Sequence, residues 1–286
     1  MNSARELLKR LLNLYPIKSI KEHFNLTGNA IDVIEVISAK PINDIKSFAF
    51  SHHDHTKQNI HLFELGRTFV KANMPNGFPF SIEKDNVVNG EYIFLILPKT
   101  TYSVYLSNPM AKPDIIFYQP VIIRIKQKSL VIQFTKLKKD VNSYFPEARD
   151  AKKAAEVNTE DDTLKAILEY FTDNYNSVEV NDFNKGLKHI WAGDQIDCHK
   201  IHRTNAHSVA LETMNGTLTF KEQYPEDYKR IITKPIGISI WKYMLADSYF
   251  CEGFTLNPTE GFIGITSSPK LSNQVNNVLT KILEHN

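Results

Sequence analysis

The chain has very little cysteine. Its 286 residues include only Cys198 and Cys251, which excludes a four-cysteine zinc module and a disulfide-rich secreted scaffold. Long apolar runs are missing as well, and no window approaches the roughly 18 apolar residues of a membrane-spanning helix. The opening MNSARELLKRLLNLYPIKS carries Arg5, Lys9 and Arg10 among its leucines, so it lacks the unbroken apolar stretch of a signal peptide. These absences lead to the expectation of a soluble protein of a reducing, intracellular compartment, cytoplasm or nucleoid or nucleus, with no membrane partner. An excess of either charge is also lacking: 34 Lys and Arg face 32 Asp and Glu, a net +2. Any basic surface must therefore be local.

Several catalytic signatures do not occur. There is no P-loop, no G-x-G-x-x-G, no G-x-S-x-G and no H-E-x-x-H. One nuclease type sets an acid ahead of a strand that carries acid-x-Lys. Asp114 precedes VIIRIKQK here, but Ile123 or Arg124 stands where the second acid belongs. Long internal repeats and low-complexity tracts are absent too.

What is present reads as α+β. Hydrophobic residues at 42% and charged residues at 23% are globular proportions, and the length suits two or three modules. Residues 3–15 set leucines at helical spacing behind Ser3, a natural N-cap. IKSIKEHFNL, NAIDVIEVISAK and PINDIKSFAF read as further short helices, so residues 1–60 are expected to form a helical bundle. Near residue 60 the texture changes. NIHLFEL, EYIFLILP, YSVYL and DIIFYQP are strand-like, and VIIRIKQKSLVIQFTKL is a hairpin turning at Lys126–Lys128. Residues 61–145 are thus expected to be an antiparallel sheet module. Residues 146–162 hold no aromatic and almost no large apolar residue, which predicts a linker. Residues 163–286 read as a second α+β module. Its helices are TLKAILEYFTDNY, NDFNKGLKHIWAG, GISIWKYMLADSYF and NQVNNVLTKILEHN, with two strands in FTLNPTEGFIGIT.

Two histidine clusters invite a metal. FSHHDHTKQNIHLFELG holds His52, His53, His55 and His61. Metallo-β-lactamase-type hydrolases use H-x-H-x-D-H, and His53-Asp54-His55 supplies its first half. Lys57 and Gln58 then occupy the positions that need Asp and His, and a lysine there opposes a cation. The segment reads instead as a helix-to-strand junction whose His53, Lys57, Gln58 and Asn59 can donate hydrogen bonds to phosphates. DQIDCHKIHRTNAH groups Cys198, His199, His202 and His207, but structural zinc usually takes at least two cysteines. A basic, hydrogen-bonding segment containing Lys200 and Arg203 is the better reading. No metal and no cofactor is expected.

The third feature is local charge. From Val121 to Lys139 the charged residues are Arg124, Lys126, Lys128, Lys136, Lys138 and Lys139, with no acid among them. Arg124, Lys126 and Lys128 share strand parity, and Lys136 and Lys138 repeat it on the next arm. A sheet face of this kind suits a phosphate backbone; the competing reading is a solvated face whose lysines guard the sheet edge. Lys9, Arg10, Lys18 and Lys21 of the first helices, with Arg67 and Lys71, extend the surface if bundle and sheet pack together.

The layout resembles that of the kinetochore protein CENP-N family. The leucine-rich ELLKRLLNLYPIKSI leads into a small bundle. FAFSHHDHTKQNIHLFELG stands where that family has a His-rich segment and an aromatic-rich turn. A β-rich region with YIFLILPKTTYSVYL follows. The likeness is confined to the N-terminal half and assigns no individual residue. It implies a pyrin-like helical domain joined to a small α+β domain, together contacting DNA and a protein on it.

The resulting expectation is non-catalytic binding of nucleic acid, DNA rather than RNA and duplex DNA first, with a protein partner alongside. The residues expected to carry it are Lys9, Arg10, Lys57, Gln58, Arg67, Arg124, Lys126, Lys128, Lys136 and Lys138. Two other classes compete: a metal-dependent hydrolase using one of the histidine clusters, and a protein-interaction scaffold built on the bundle.

Overall fold

The computed structural model describes residues 2–286 except 72, 73, 75, 108, 109, 138–140, 146–150, 203–209, 213–217 and 244–248. Four short helices open it: α1 (Ala4–Leu12), α2 (Ile17–Phe24), α3 (Ala30–Ile37) and α4 (Ile42–Ser51). Local chemistry sets their limits. The Ser3 side chain accepts the Glu6 amide, and Asn29 does the same for Asp32. Pro16 and Pro41 precede α2 and α4, where a missing N–H costs nothing. Leu8, Leu11, Leu12, Ile20, Val33, Ile37, Ile45 and Phe48 meet in one core. That core is completed by Leu95 and Ile122, so the bundle closes only against the sheet.

After the bundle come β1 (Gln58–Leu65), β2 (Ile82–Val88), β3 (Glu91–Ile96), β4 (Lys99–Ser107), β5 (Met110–Ala111), β6 (Asp114–Tyr118), β7 (Val121–Lys126), β8 (Ser129–Thr135) and β9 (Lys152–Val157). The remainder is α5 (Glu160–Tyr175), β10 (Val178–Val180), α6 (Asn184–Ala192), β11 (Ile196–His202), β12 (Ala210–Glu212), α7 (Phe220–Gln223), α8 (Pro225–Ile231), β13 (Ser239–Tyr243), β14 (Gly253–Asn257), β15 (Phe262–Ile265) and α9 (Gln274–Glu284). The strands pair antiparallel and the class is α+β, as the sequence implies. The main sheet runs β12-β11-β13-β14-β15-β1-β8-β7-β3-β2, with β10 also on β1; β5, β4, β6 and β9 form a small second sheet.

Three expectations change here. The boundaries near 60 and 145 do not divide the sheet, because β1 pairs with β8 on one side and β15 on the other. The expected linker is, over its described residues, a strand and a helix start: β9 pairs with β4 and Ala151 is buried. A neighbouring strand supplies the hydrogen bonds, and a Lys-Ala-Glu sequence does not advertise that. GISIWKYMLADSYF was expected to be a helix, but Ser239–Tyr243 is a strand. Ser239 and Trp241 are buried while Ile238 and Ile240 are exposed, a period of two that pairing with β11 and β14 enforces. Residues 244–248 of that segment lie outside the described residues.

The two faces of the sheet are covered differently. On one face the bundle packs over β3 and β7, while α6 and α9 pack over Ile60, Leu62, Leu256 and Ile263. On the other face α5 covers β1, β8, β7 and β3 through Ile167, Tyr170, Phe171 and Tyr175.

Candidate nucleic-acid interface

Four of the expected cations are already engaged. Arg10 is 4% exposed, donates to the Asn2 side chain and the Ile116 carbonyl, and lies over the Phe117 and Tyr144 rings. Lys9 pairs with Glu35 at 2.6 Å and Glu6 at 3.0 Å. Arg67 donates to the Asn174 carbonyl near the end of α5. Arg124 grips Glu91 with two hydrogen bonds, 3.1 and 2.7 Å, and donates a third to Asn276. Gln58 is fully buried, donating to the His53 carbonyl at 2.6 Å and accepting from Gln133. Arg10 and Gln58 are buried by these contacts and Arg124 is neutralised, whereas Arg67 remains exposed. Lys138 lies outside the described residues. Lys57, Lys126, Lys128 and Lys136 remain, and among the described residues no carboxylate is within ion-pairing distance of them.

The shared face expected for the hairpin does not form. The register sets Val131 opposite Arg124 and Gln133 opposite Ile122, so even-numbered residues of β7 oppose odd-numbered residues of β8. Arg124 and Lys126 therefore lie on the bundle face. Lys136 continues the parity of Ile132 and Phe134 and lies on the α5 face. Numbering parity carries across a hairpin only when the sum of paired residue numbers is even, and its turn makes that sum odd.

The registers of the other strands reveal a face that sequence reasoning missed. Lys200, Ile240, Thr255, Gly264 and Asn59 form one cross-strand row on the α5 side. The next row on that side begins with Asp197, which is buried, opposite Lys242, and Lys242 in turn lies opposite Gly253. It continues through Thr266, whose hydroxyl donates to the Gly253 carbonyl at 3.2 Å, to Lys57. Lys136 closes it, donating its amide to the Lys57 carbonyl at 2.8 Å. Between the rows Gln58, Ile265, Phe254, Trp241 and Cys198 point the other way and are buried. The hydrophobic core of β11 and β13–β15 lies wholly on that opposite face. Among the described residues, none of the buried clusters covers the row carrying the lysines: Ile240 is 38% exposed, and Lys57 and Thr266 are exposed. Phe262 folds over Gly264, where a Cβ would stand 3.3 Å from its ring.

Lys136 is the half-buried member of this face. Burial lowers the proton affinity of its ammonium, Glu160 raises it, Lys57 lowers it further, and the net direction is down. Asn59 and His61 share the face. Asn59 does not point outward to a ligand as expected: its amide donates to both oxygens of Glu160 at 2.9 and 3.2 Å.

The first histidine cluster is a junction. His53 Nε2 stands 3.1 Å from Asp54 Oδ1, with both side chains largely buried, and its Nδ1–H donates to the Phe50 carbonyl. That leaves His53 without a donor for phosphate. His23, His52 and His55 form a chain of rings, 4.9 and 5.4 Å between neighbouring centroids. Among the described residues no three His, Cys, Asp or Glu side chains are placed to hold a metal ion. Of the second cluster, Cys198 is buried and its thiol is pushed above its usual range, mainly by burial. Arg203 and His207 lie outside the described residues. Among the described residues no helix is long and apolar enough to cross a membrane.

No protein-family model matches the chain, and no curated protein matches it.

Proposed function

We propose that the protein binds nucleic acid without catalysis, holding a phosphate backbone, duplex DNA foremost, across the open half of the sheet. The observation that carries this reading is the row Lys136, Lys57, Thr266, Gly253, Lys242. Neighbouring strands lie about 4.8 Å apart, so Lys57 and Lys242 are separated by about 14 Å. A backbone phosphate can be neutralised at each end. Phe262, the aromatic that borders these rows on β15, is folded over Gly264. A face without a raised stacking platform favours backbone contacts over base recognition. Charge distribution adds support: residues 1–145 carry 19 Lys and Arg against 12 Asp and Glu. The resemblance to the CENP-N family, with its implied contacts to DNA and a protein on it, accords with the same reading.

The test is fluorescence anisotropy with a labelled DNA duplex, with single-stranded DNA and RNA as competitors. Binding should weaken steeply with salt and be lost in the double variant Lys57→Glu, Lys242→Glu. Unchanged affinity in a folded double variant would overturn the proposal.

A further inference from the structure

Glu160 is the first residue of α5, yet its carboxylate serves the sheet and not the helix. The helix is capped without it: Thr159 and Asp162 exchange the reciprocal bonds of a capping box. Glu160 reaches instead across to the lysine-bearing face. Asn59 Nδ2 donates to both of its oxygens. Gln119 Nε2 is 3.4 Å from Oε2, and His61 Nε2 is 3.5 Å from Oε1. Lys136 is near enough to feel its charge.

The backbone positions of these donors do not depend on Glu160. Asn59 and His61 are fixed by β1. Gln119 is held by its bond to the Thr135 carbonyl at 3.1 Å and by the Thr100 hydroxyl at 3.4 Å. His61 is walled by Phe63, Phe134 and Phe262. Two side-chain amides and an imidazole therefore converge on one carboxylate, and the half-buried Lys136 ammonium stands beyond ion-pairing distance but close enough to act on its charge. That is the donor set a phosphate requires: several N–H groups and a cation around clustered oxygens. Glu160 is 24% exposed on its side chain, so the place it occupies is reachable from the open face. It can rotate outward without unwinding α5, because it makes none of the capping bonds.

We infer that Glu160 is a resident stand-in for a backbone phosphate. In the nucleic-acid-free protein its carboxylate fills a subsite made by Asn59, His61, Gln119 and Lys136, and an incoming phosphate displaces it. The inference rests on the nucleic-acid reading of this face and adds to it a specific phosphate position and a brake on affinity. With Glu160 in place the subsite repels a second anion. With Glu160 out, Lys136 and Lys57 face the ligand unopposed.

The experiment compares the full-length wild type with Glu160→Gln, Glu160→Asp and Asp161→Asn, using one labelled DNA duplex at fixed salt. Asp161 is a neighbouring acid of the same helix turn that takes no part in the subsite, so it measures the general effect of removing a charge. Glu160→Gln should tighten binding by about tenfold and Asp161→Asn by less than about twofold. Glu160→Asp keeps the charge at the helix start but shortens its reach by one methylene, and should give an intermediate gain, which also serves if the glutamine variant folds poorly. Adding Asn59→Ala to Glu160→Gln should cancel most of the gain. Equal gains in Glu160→Gln and Asp161→Asn, or none in Glu160→Gln while the wild type binds, would overturn the inference and leave the proposed function standing. Binding by Glu160→Gln alone supports the inference in its strongest form. Absence of binding in every protein overturns both.

Discussion

Replacing Asp54 with asparagine removes one half of the buried ion pair at the junction of bundle and sheet. His53 Nε2 and Asp54 Oδ1 are 3.1 Å apart, with side chains 13% and 18% exposed. At that separation and an effective dielectric of about 20, the attraction is about 5 kcal/mol. Burial of both groups offsets part of it, and in the variant His53 can shed its proton, which caps the loss. The net destabilisation at about pH 6.5 should be about 2–3 kcal/mol. The pH profile is the sharper readout. Burial lowers the proton affinity of His53, but Asp54 and the Phe50 carbonyl outweigh it, so the net direction is up. Its contribution is complete below the unfolded value near 6.5 and is lost as pH rises through the higher folded value. His52 and His55 go the other way, lowered chiefly by burial. They withdraw stability as pH falls from about 6.5 toward their folded values. Wild-type stability should therefore peak between these limbs, which lie above and below about pH 6.5. Urea denaturation from about pH 5 to about pH 9 should show the alkaline limb vanish in Asp54→Asn while the acid limb stays. An unchanged alkaline limb, or a loss under about 1 kcal/mol, would refute the reasoning.

Other outcomes follow from the same geometry. Lys57→Gln with Lys136→Gln should reduce the slope of log affinity against log salt by about 2, near 0.9 for each phosphate no longer neutralised, as read by anisotropy at several salt concentrations. Lys126→Glu with Lys128→Glu should change DNA affinity far less than Lys57→Glu with Lys242→Glu. Lys126 lies on the bundle face and Lys128 in the hairpin turn, so an equal weakening would relocate the interface. Gly186→Ala should lower thermal stability by about 2–3 kcal/mol, measured by calorimetry. A Cβ there would stand 2.0 Å from the Ile282 carbonyl oxygen, so α6 and α9 would have to move apart.

Local signals were legible where they depend on neighbours in the chain. Ser3 caps the first helix, the β7–β8 hairpin turns at Gln127 and Lys128, and the strands around Asn257 and Gly261 pair as expected. The histidine segment also reads correctly as the passage from helix to strand, with α4 ending at Ser51 and β1 starting at Gln58. β9 and β13 were not legible. Each is a strand because a partner offers its backbone, and neither composition nor helical spacing reveals that partner.

By itself the sequence determined the class, α+β with helices first and antiparallel strands after, together with the local excess of base over acid. The tertiary structure decided which cations are available and which side of the sheet they share. Arg10 and Arg124 count as basic in a composition, yet one is buried and the other neutralised by Glu91. Lys57, Lys136 and Lys242 are scattered through the sequence and come to one face only through the register of β1 with β8 and β15, and of β15 with β14 and β13. The physical reason is that side chains alternate between the faces of a strand with period two. Which face meets a core, and which residue meets which across strands, is set by pairings between segments as much as about two hundred residues apart.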